Sequence, residues 1–327
     1  MKRRDFVAGL CSAAAIPAVG QAQQAPIPVV GILHSGSREA SRADFSAFRE
    51  GVAQFGLVEG RNVSFEYRFA DSRLDRLPAL ADELVRRHVA VIFSGTNLAA
   101  ALAAKAATNS IPIVFFTGAD PVSSGLVASL AKPGGNITGV TILTSELFGK
   151  RLQLLHELIP KAKTFGYLVN PANPAFSENA LKHDATTAEA LGVQLSILHA
   201  STPADVDHAF AAFHAKKVEA MVLAPDTSYQ VLTEQIISLA GRYRIAVSYP
   251  RREYANAGGL MSYGTDFIDV FHRCGSYVAR ILRGEAPKNL PVQQPTGFKL
   301  VLNKKAATQI GIEIPSELIV RADEVIE

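Results

Sequence analysis

Between Val89 and Leu126 the chain twice brings an apolar, β-rich run to a stop at a glycine followed by turn-forming residues. The first run, Val89 to Phe93, ends in Ser94-Gly95-Thr96-Asn97 ahead of an alanine-rich stretch. The second, Ile113 to Phe116, ends in Thr117-Gly118-Ala119-Asp120-Pro121. Short apolar runs closed by Gly and by capping residues have the pattern of buried parallel strands with crossover helices. A helix is expected after each run, the second starting near Val122. In open parallel sheets small ligands bind beyond the strands' carboxyl ends, where helix-start amides and the positive dipole end point outward. This stretch is therefore expected to hold the acidic end of a small ligand.

The same alternation extends in both directions. Val29 to Leu33 reads as a strand ending in His34-Ser35-Gly36-Ser37, and Ala43 to Phe55 repeats at helical spacing. Asn62 to Phe69 alternates with period two, as an edge or half-exposed strand does, and Leu74 to His88 carries a leucine-rich face. A second series follows. Strands are expected at Thr164–Val169, Val193–Leu198, Ala220–Leu223 and Ala246–Tyr249, with helices between them. One β-α series thus occupies about 28–143 and another about 144–250. The tail, with a Pro-rich crossing from Pro287 to Pro295, belongs to neither series alone. It suits a chain that crosses back between two lobes through a hinge of several strands. The expected division is a first lobe of 28–143 plus about 263–290 and a second of 144–262 plus about 291–327.

A chain of 327 residues with 48% apolar and 19% charged residues has ample material for two cores. Its first residues have the order of an export signal. Lys2-Arg3-Arg4 precedes an apolar run from Phe6 to Val19, and Gly20-Gln21-Ala22 offers a cleavage site. Arg3-Arg4-Asp5-Phe6-Val7 also fits a twin-arginine signal. Cys11 lies inside the apolar run, which disfavours a lipid anchor. Of the net charge of +3, residues 2–5 supply +2, so a processed chain is nearly neutral and no nucleic-acid partner is expected. After cleavage Cys274 alone remains, too few thiols for an internal disulfide, and its helical setting reads as packing.

Several chemistries have no sequence footing. There is no G-x-S-x-G elbow, no phosphate-binding loop ending in Gly-Lys-Ser/Thr and no G-x-G-x-x-G after the first strand. The eight histidines form no H-x-x-x-H pair. Neither an enzyme nor a cofactor nor a metal site is expected.

The candidates that remain stand at strand ends, and each admits two readings. Asp120 and Asp226 could meet a ligand's ammonium or cap the helices that follow. Ser94, Thr96 and Asn97 could donate to a carboxylate beside a helix start or serve as ordinary caps. Asn170 and Asn173 each precede a proline and could be turn residues or ligand contacts. Ser35 and Thr117, at the ends of their own strands, belong to the same set. Tyr249 and Tyr263 could wall the ligand or pack the hinge.

Longer segments carry a family resemblance. They include EGRNVSFEYRFA (Glu59 to Ala70), RLPALADELVRRHVAVI (Arg76 to Ile92) and IPIVFFTGADPVSSGLVASLAKPGGNITGV (Ile111 to Val140). RLQLLHELIPKAKTFGYLVNPANP (Arg151 to Pro174) and the run from Gly258 to Ala307, with its PVQQPT crossing, complete the set. With these the chain resembles ABC-transporter substrate-binding proteins of the tryptophan/tyrosine-binding type, with the periplasmic binding protein type I fold. The resemblance implies two Rossmann-like α/β lobes closing on a ligand across a three-strand hinge. The loops at Ser94 to Asn97 and Thr117 to Asp120 would bind from the first lobe, and those at Asn170 and Asp226 from the second. Asp120 and Asp226 would meet the ligand's amine, and helix-start amides its carboxylate. It further implies a monomeric periplasmic receptor that serves an ABC permease and ATPase, or alternatively feeds a signalling receptor. The ligand would be an aromatic or other amino acid, or an aromatic or dicarboxylic acid.

Overall fold

The computed structural model describes residues 26–327 apart from 143, 174, 175 and 177, and leaves aside the side chains of 144–146 and 179. The expected export signal and Cys11 lie outside the described residues. The first sheet comes from β1 (Val29–His34), β2 (Ser64–Phe69), β3 (Val91–Gly95), β4 (Ile113–Thr117) and β5 (Ile137–Thr141), in the order β2-β1-β3-β4-β5 and all parallel. Its helices within this stretch are α1 (Arg42–Ala53), α2 (Leu77–Arg86) and α3 (Leu98–Ala107). β1 shows why the strands read as unbroken apolar runs, because both faces are covered. Val30 and Ile32 enter one core with Phe48 of α1. Leu33 enters the other with Leu84 of α2 and Ala101 of α3. β2, which alternates in sequence, is the half-buried edge.

The second lobe runs through α4 (Thr144–Leu158), β6 (Thr164–Val169), α5 (Glu178–Ala190), β7 (Gln194–His199), α6 (Pro203–Ala215) and β8 (Ala220–Leu223). It continues with α7 (Thr227–Val231), α8 (Thr233–Tyr243), β9 (Ala246–Tyr249), α9 (Arg252–Asn256) and β10 (Met261–Thr265). After β10 the chain enters α10 (Phe267–Leu282), which belongs to the first lobe, where Val270, Phe271 and Cys274 pack with Phe48 and Phe93. Then β11 (Phe298–Asn303), α11 (Lys304–Ile310), α12 (Ser316–Arg321) and β12 (Glu324–Ile326) complete the second lobe. Its sheet order is β12-β11-β10-β9-β8-β6-β7, parallel except where β10 meets β11.

Chain therefore passes between the lobes after β5, at Asp266 between β10 and α10, and between Gln293 and β11. The last passage is tied to the first sheet before it leaves. Gln293 exchanges backbone hydrogen bonds with Gly139 and Thr141 at 3.0 and 2.9 Å, and Thr138 Oγ1 donates to Leu290 O at 2.6 Å. The Pro-rich composition of this segment suits a crossing that pairs on one side only.

One expected element is absent. After β4 the chain makes turns from Pro121 to Gly125 rather than an α-helix and reaches β5 without a helical crossover. Gly125, with φ of 69°, takes the chain out of helical conformation four residues after Pro121, and Pro133 with the paired Gly134-Gly135, both of positive φ, closes the stretch. Three short elements had no strong periodic signal: α9, α12 and β12. No helix among the described residues is long and apolar enough to cross a membrane.

Candidate ligand-binding cleft

The carboxyl ends of β1, β3 and β4 face those of β6, β8 and β9 across a cavity of about 550 Å³, counting the part open to solvent. From the first lobe Thr96, Asn97, Phe116 and Thr117 line it. From the second come Asn173, Phe176, Asp226, Thr227 and Gln230, then Arg251 and Tyr254 beyond β9. Ile142 and Phe267, at two of the crossings, close the hinge side. Aromatic and aliphatic groups form most of the exposed wall, with eight polar side chains set among them, a make-up that suits a small-molecule site.

Asp226 is the carboxylate on this wall. It caps α7, with Oδ1 accepting from the Ser228 amide at 2.9 Å and from Ser228 Oγ at 2.5 Å. Asn170 Nδ2 donates to Oδ1 at 3.1 Å and Asn173 Nδ2 to Oδ2 at 2.8 Å. Both readings of this residue therefore meet in one place, since it caps a helix and lines the cavity. The donors fix its orientation and offset much of the cost of holding a charge in a nearly closed site. Asn170 stands behind it, its own Oδ1 taken by the Ala172 amide and Ser201 Oγ.

Across the cleft Asn97 caps α3, accepting from the Ala99 amide at 2.7 Å. Thr96 has φ of 72°, a left-handed conformation that a β-branched residue rarely adopts. It is held by contacts of its Oγ1 with Gly95 O at 2.8 Å and His34 Nε2 at 3.2 Å. His34 is fully buried, and the Gly36 amide donates to its Nδ1, so Nε2 carries the proton in the neutral ring. Burial, and then the nearby positive charge of Arg251, lowers its pKa from 6.5 to about 4. The Thr96 turn thus rests on a neutral imidazole.

The expected site residues divide by position. Thr96, Asn97, Thr117 and Asp226 line the cavity. Ser35 does not, but its Oγ lies 3.3 Å from both Thr96 Oγ1 and Thr227 Oγ1, where the two lobes touch. Ser94 is fully buried behind the lining, its Oγ without a hydrogen-bond partner among the described residues. Asp120 is exposed and off the lining, its Oδ1 accepting from the Val122 amide at 2.8 Å in the turn that replaces the expected helix. Tyr249 is one layer back, stacked on Tyr254 with centroids 4.9 Å apart, and Tyr254 reaches the cavity. Tyr263 packs near Phe298 instead.

Residues that were not anticipated carry much of the wall: Phe116, Phe176, Tyr254, Phe267 and Arg251. Arg251 follows β9 just as Asp226 follows β8, so its strand-end position was a usable signal. Its guanidinium is matched twice. Nη2 and Nη1 reach Asp44 of α1 at 2.8 and 3.1 Å, and Nε reaches Glu253 at 3.1 Å. Burial opposes its charge, but Asp44 and then Glu253 more than offset that and hold the guanidinium above its ordinary pKa.

The sequence profile of the ABC transporter substrate binding proteins matches residues 27–326. The chain belongs to that family. Members are substrate-binding proteins of ABC transporters. Among relatives, a tyrosine-binding protein of Clostridioides difficile (strain R20291) is 25% identical over 268 residues, 81% of this chain and 76% of that one. A conserved domain protein from Vibrio cholerae superposes with a TM-score of 0.84 at 29% identity, covering 91% of this chain and 99% of that one. An ABC domain in complex with L-Trp from Streptococcus pneumoniae gives a TM-score of 0.82 at 22% identity, with coverage of 91% and 99%. These relatives and structural neighbours establish the periplasmic binding protein type I fold for this substrate-binding protein.

Proposed function

We propose that this protein is the exported receptor of an ABC importer and closes its lobes on a small aromatic amino acid without altering it. The observation that carries this reading is the cavity itself. One fixed carboxylate, Asp226, stands in a wall that is otherwise mainly Phe116, Phe176, Tyr254, Phe267 and aliphatic groups. Such a wall suits an aromatic side chain, and the carboxylate an ammonium. The ligand's own carboxylate would face the start of α3 at Thr96 and Asn97, because Arg251 is already matched by two acids. The tyrosine-binding relative and the neighbour solved with L-Trp support the ligand class. Closure removes the ligand from water, and the closed form is what a periplasmic receptor presents to permease and ATPase subunits in the inner membrane.

Thermal-shift titration of the mature protein with L-tyrosine, L-tryptophan and aromatic acids lacking an amine tests this. A ligand at ~100 times its Kd adds about 2.7 kcal/mol of stability. Stabilisation by amine-free acids alone would overturn the amino-acid reading, and conversion of L-tyrosine during long incubation would overturn the receptor reading.

A further inference from the structure

The Asp44–Arg251 pair joins the two lobes. Asp44 lies in the first turn of α1 and Arg251 just before α9, and their side chains are 1% and 6% exposed. The contact is bidentate, each carboxylate oxygen meeting a different terminal nitrogen. The guanidinium carbon also sits 4.1 Å from the centre of the Phe267 ring, at the first-lobe end of the Asp266 crossing. Arg251 therefore touches the first lobe through a carboxylate and an aromatic face, while Glu253 is its partner on its own lobe. At the other side of the same β1-α1 segment, Ser35 meets Thr227.

We propose that Asp44 and Arg251 form a latch that is made only when the lobes close and that couples ligand occupancy to closure, since Arg251 also lines the cavity. This rests on the receptor reading for its purpose but not for its test. When the lobes part, α1 moves away from α9 and both charges regain water. When they close, both are desolvated and each needs the other. A buried pair of this kind contributes little net stability, yet either member buried alone is heavily penalised. The pair thus specifies one closed register and disfavours any part-closed arrangement that buries one charge without its partner. Arg is suited to this role because its planar fork matches both carboxylate oxygens at once.

The test is small-angle X-ray scattering of the mature protein without ligand, with far-UV circular dichroism to confirm folding. Asp44→Asn and Arg251→Gln should each lower the closed-to-open ratio about a hundredfold and raise the radius of gyration. The double variant removes both members of the contact between lobes at once and should be more closed than either single one. Glu253→Gln, which leaves the contact between lobes in place, should give a radius no larger than the wild type's. Single variants that scatter like the wild type, or a double variant as open as the sum of the two effects, overturn the latch. Should a single variant fail to fold, Arg251→Lys keeps the charge but loses the fork; it should be intermediate in radius, and an unchanged radius counts against the proposal. Failure of L-tyrosine or L-tryptophan to bind would overturn the receptor's assigned ligand and leave these outcomes unaffected.

Discussion

Asn173 Nδ2 donates to Asp226 Oδ2 across 2.8 Å, tying the loop after β6 to the loop after β8 at the wall of the cleft. With Asn170 on the other oxygen, the carboxylate is aimed before any ligand arrives. Asp226→Asn keeps the shape and removes the charge that would face an ammonium. Calorimetric titration with L-tyrosine or L-tryptophan should show Kd rising at least about tenfold, equivalent to about 1.4 kcal/mol. Asp120→Asn, on an exposed turn off the lining, should bind as the wild type does.

Ser35 Oγ of the first lobe lies 3.3 Å from Thr227 Oγ1 of the second. A Ser35→Cys/Thr227→Cys variant should form a disulfide between the lobes on oxidation, visible as faster migration on a non-reducing gel. Cys274 is fully buried in the first-lobe core and should not compete. The oxidised form should exchange bound ligand far more slowly than the reduced form. Equal exchange rates would show that closure does not gate release.

Gly51 and Gly275 let α1 and α10 meet backbone to backbone. A Cβ on Gly275 would stand 2.0 Å from Phe48 O, and one on Gly51 the same distance from His272 O. Gly275→Ala must therefore push the helices apart and should cost about 1–3 kcal/mol, read as a lower urea midpoint. Since α10 leads directly from a crossing, ligand affinity should fall as well.

Two buried groups respond to acid in opposite directions. His34 protonates at about 4 when folded and near 6.5 when unfolded. Between those values the unfolded chain binds more protons, so this contribution is lost as pH falls, up to about 3 kcal/mol. Asp184, in the second lobe beside Tyr167 and Arg151, is pushed up by burial from 3.8 to about 6. Its contribution is full below 3.8 and is lost as pH rises through about 6. The change in urea midpoint on going from about pH 4.5 to about pH 7 should move downward in His34→Gln and upward in Asp184→Asn, relative to the wild type.

The β-α order, the two series and the edge position of β2 were legible in the sequence, because periodicity and glycine stops report local geometry directly. Strand-end residues such as Thr96, Asn97 and Asp226 were legible for the same reason, since a parallel strand delivers its last residues to one rim of the sheet. The helix expected after Asp120 failed where prolines and paired glycines interrupt a stretch that is still apolar. Tyr249, at the end of a strand, could wall the ligand or pack the hinge, and only packing decides that its stacked neighbour Tyr254 is the one facing the cavity.

What the sequence by itself determined is the inventory: two α/β series and polar residues at the ends of their strands. Tertiary structure alone decided that Asp44 and Arg251, more than 200 positions apart, share one buried contact. It also set Phe176 and Phe267 on the same wall as Phe116. The reason is physical. Local pattern records which face of an element is apolar, while a cleft is made of side chains from separate lobes whose meeting depends on closure and leaves no periodic trace in either segment.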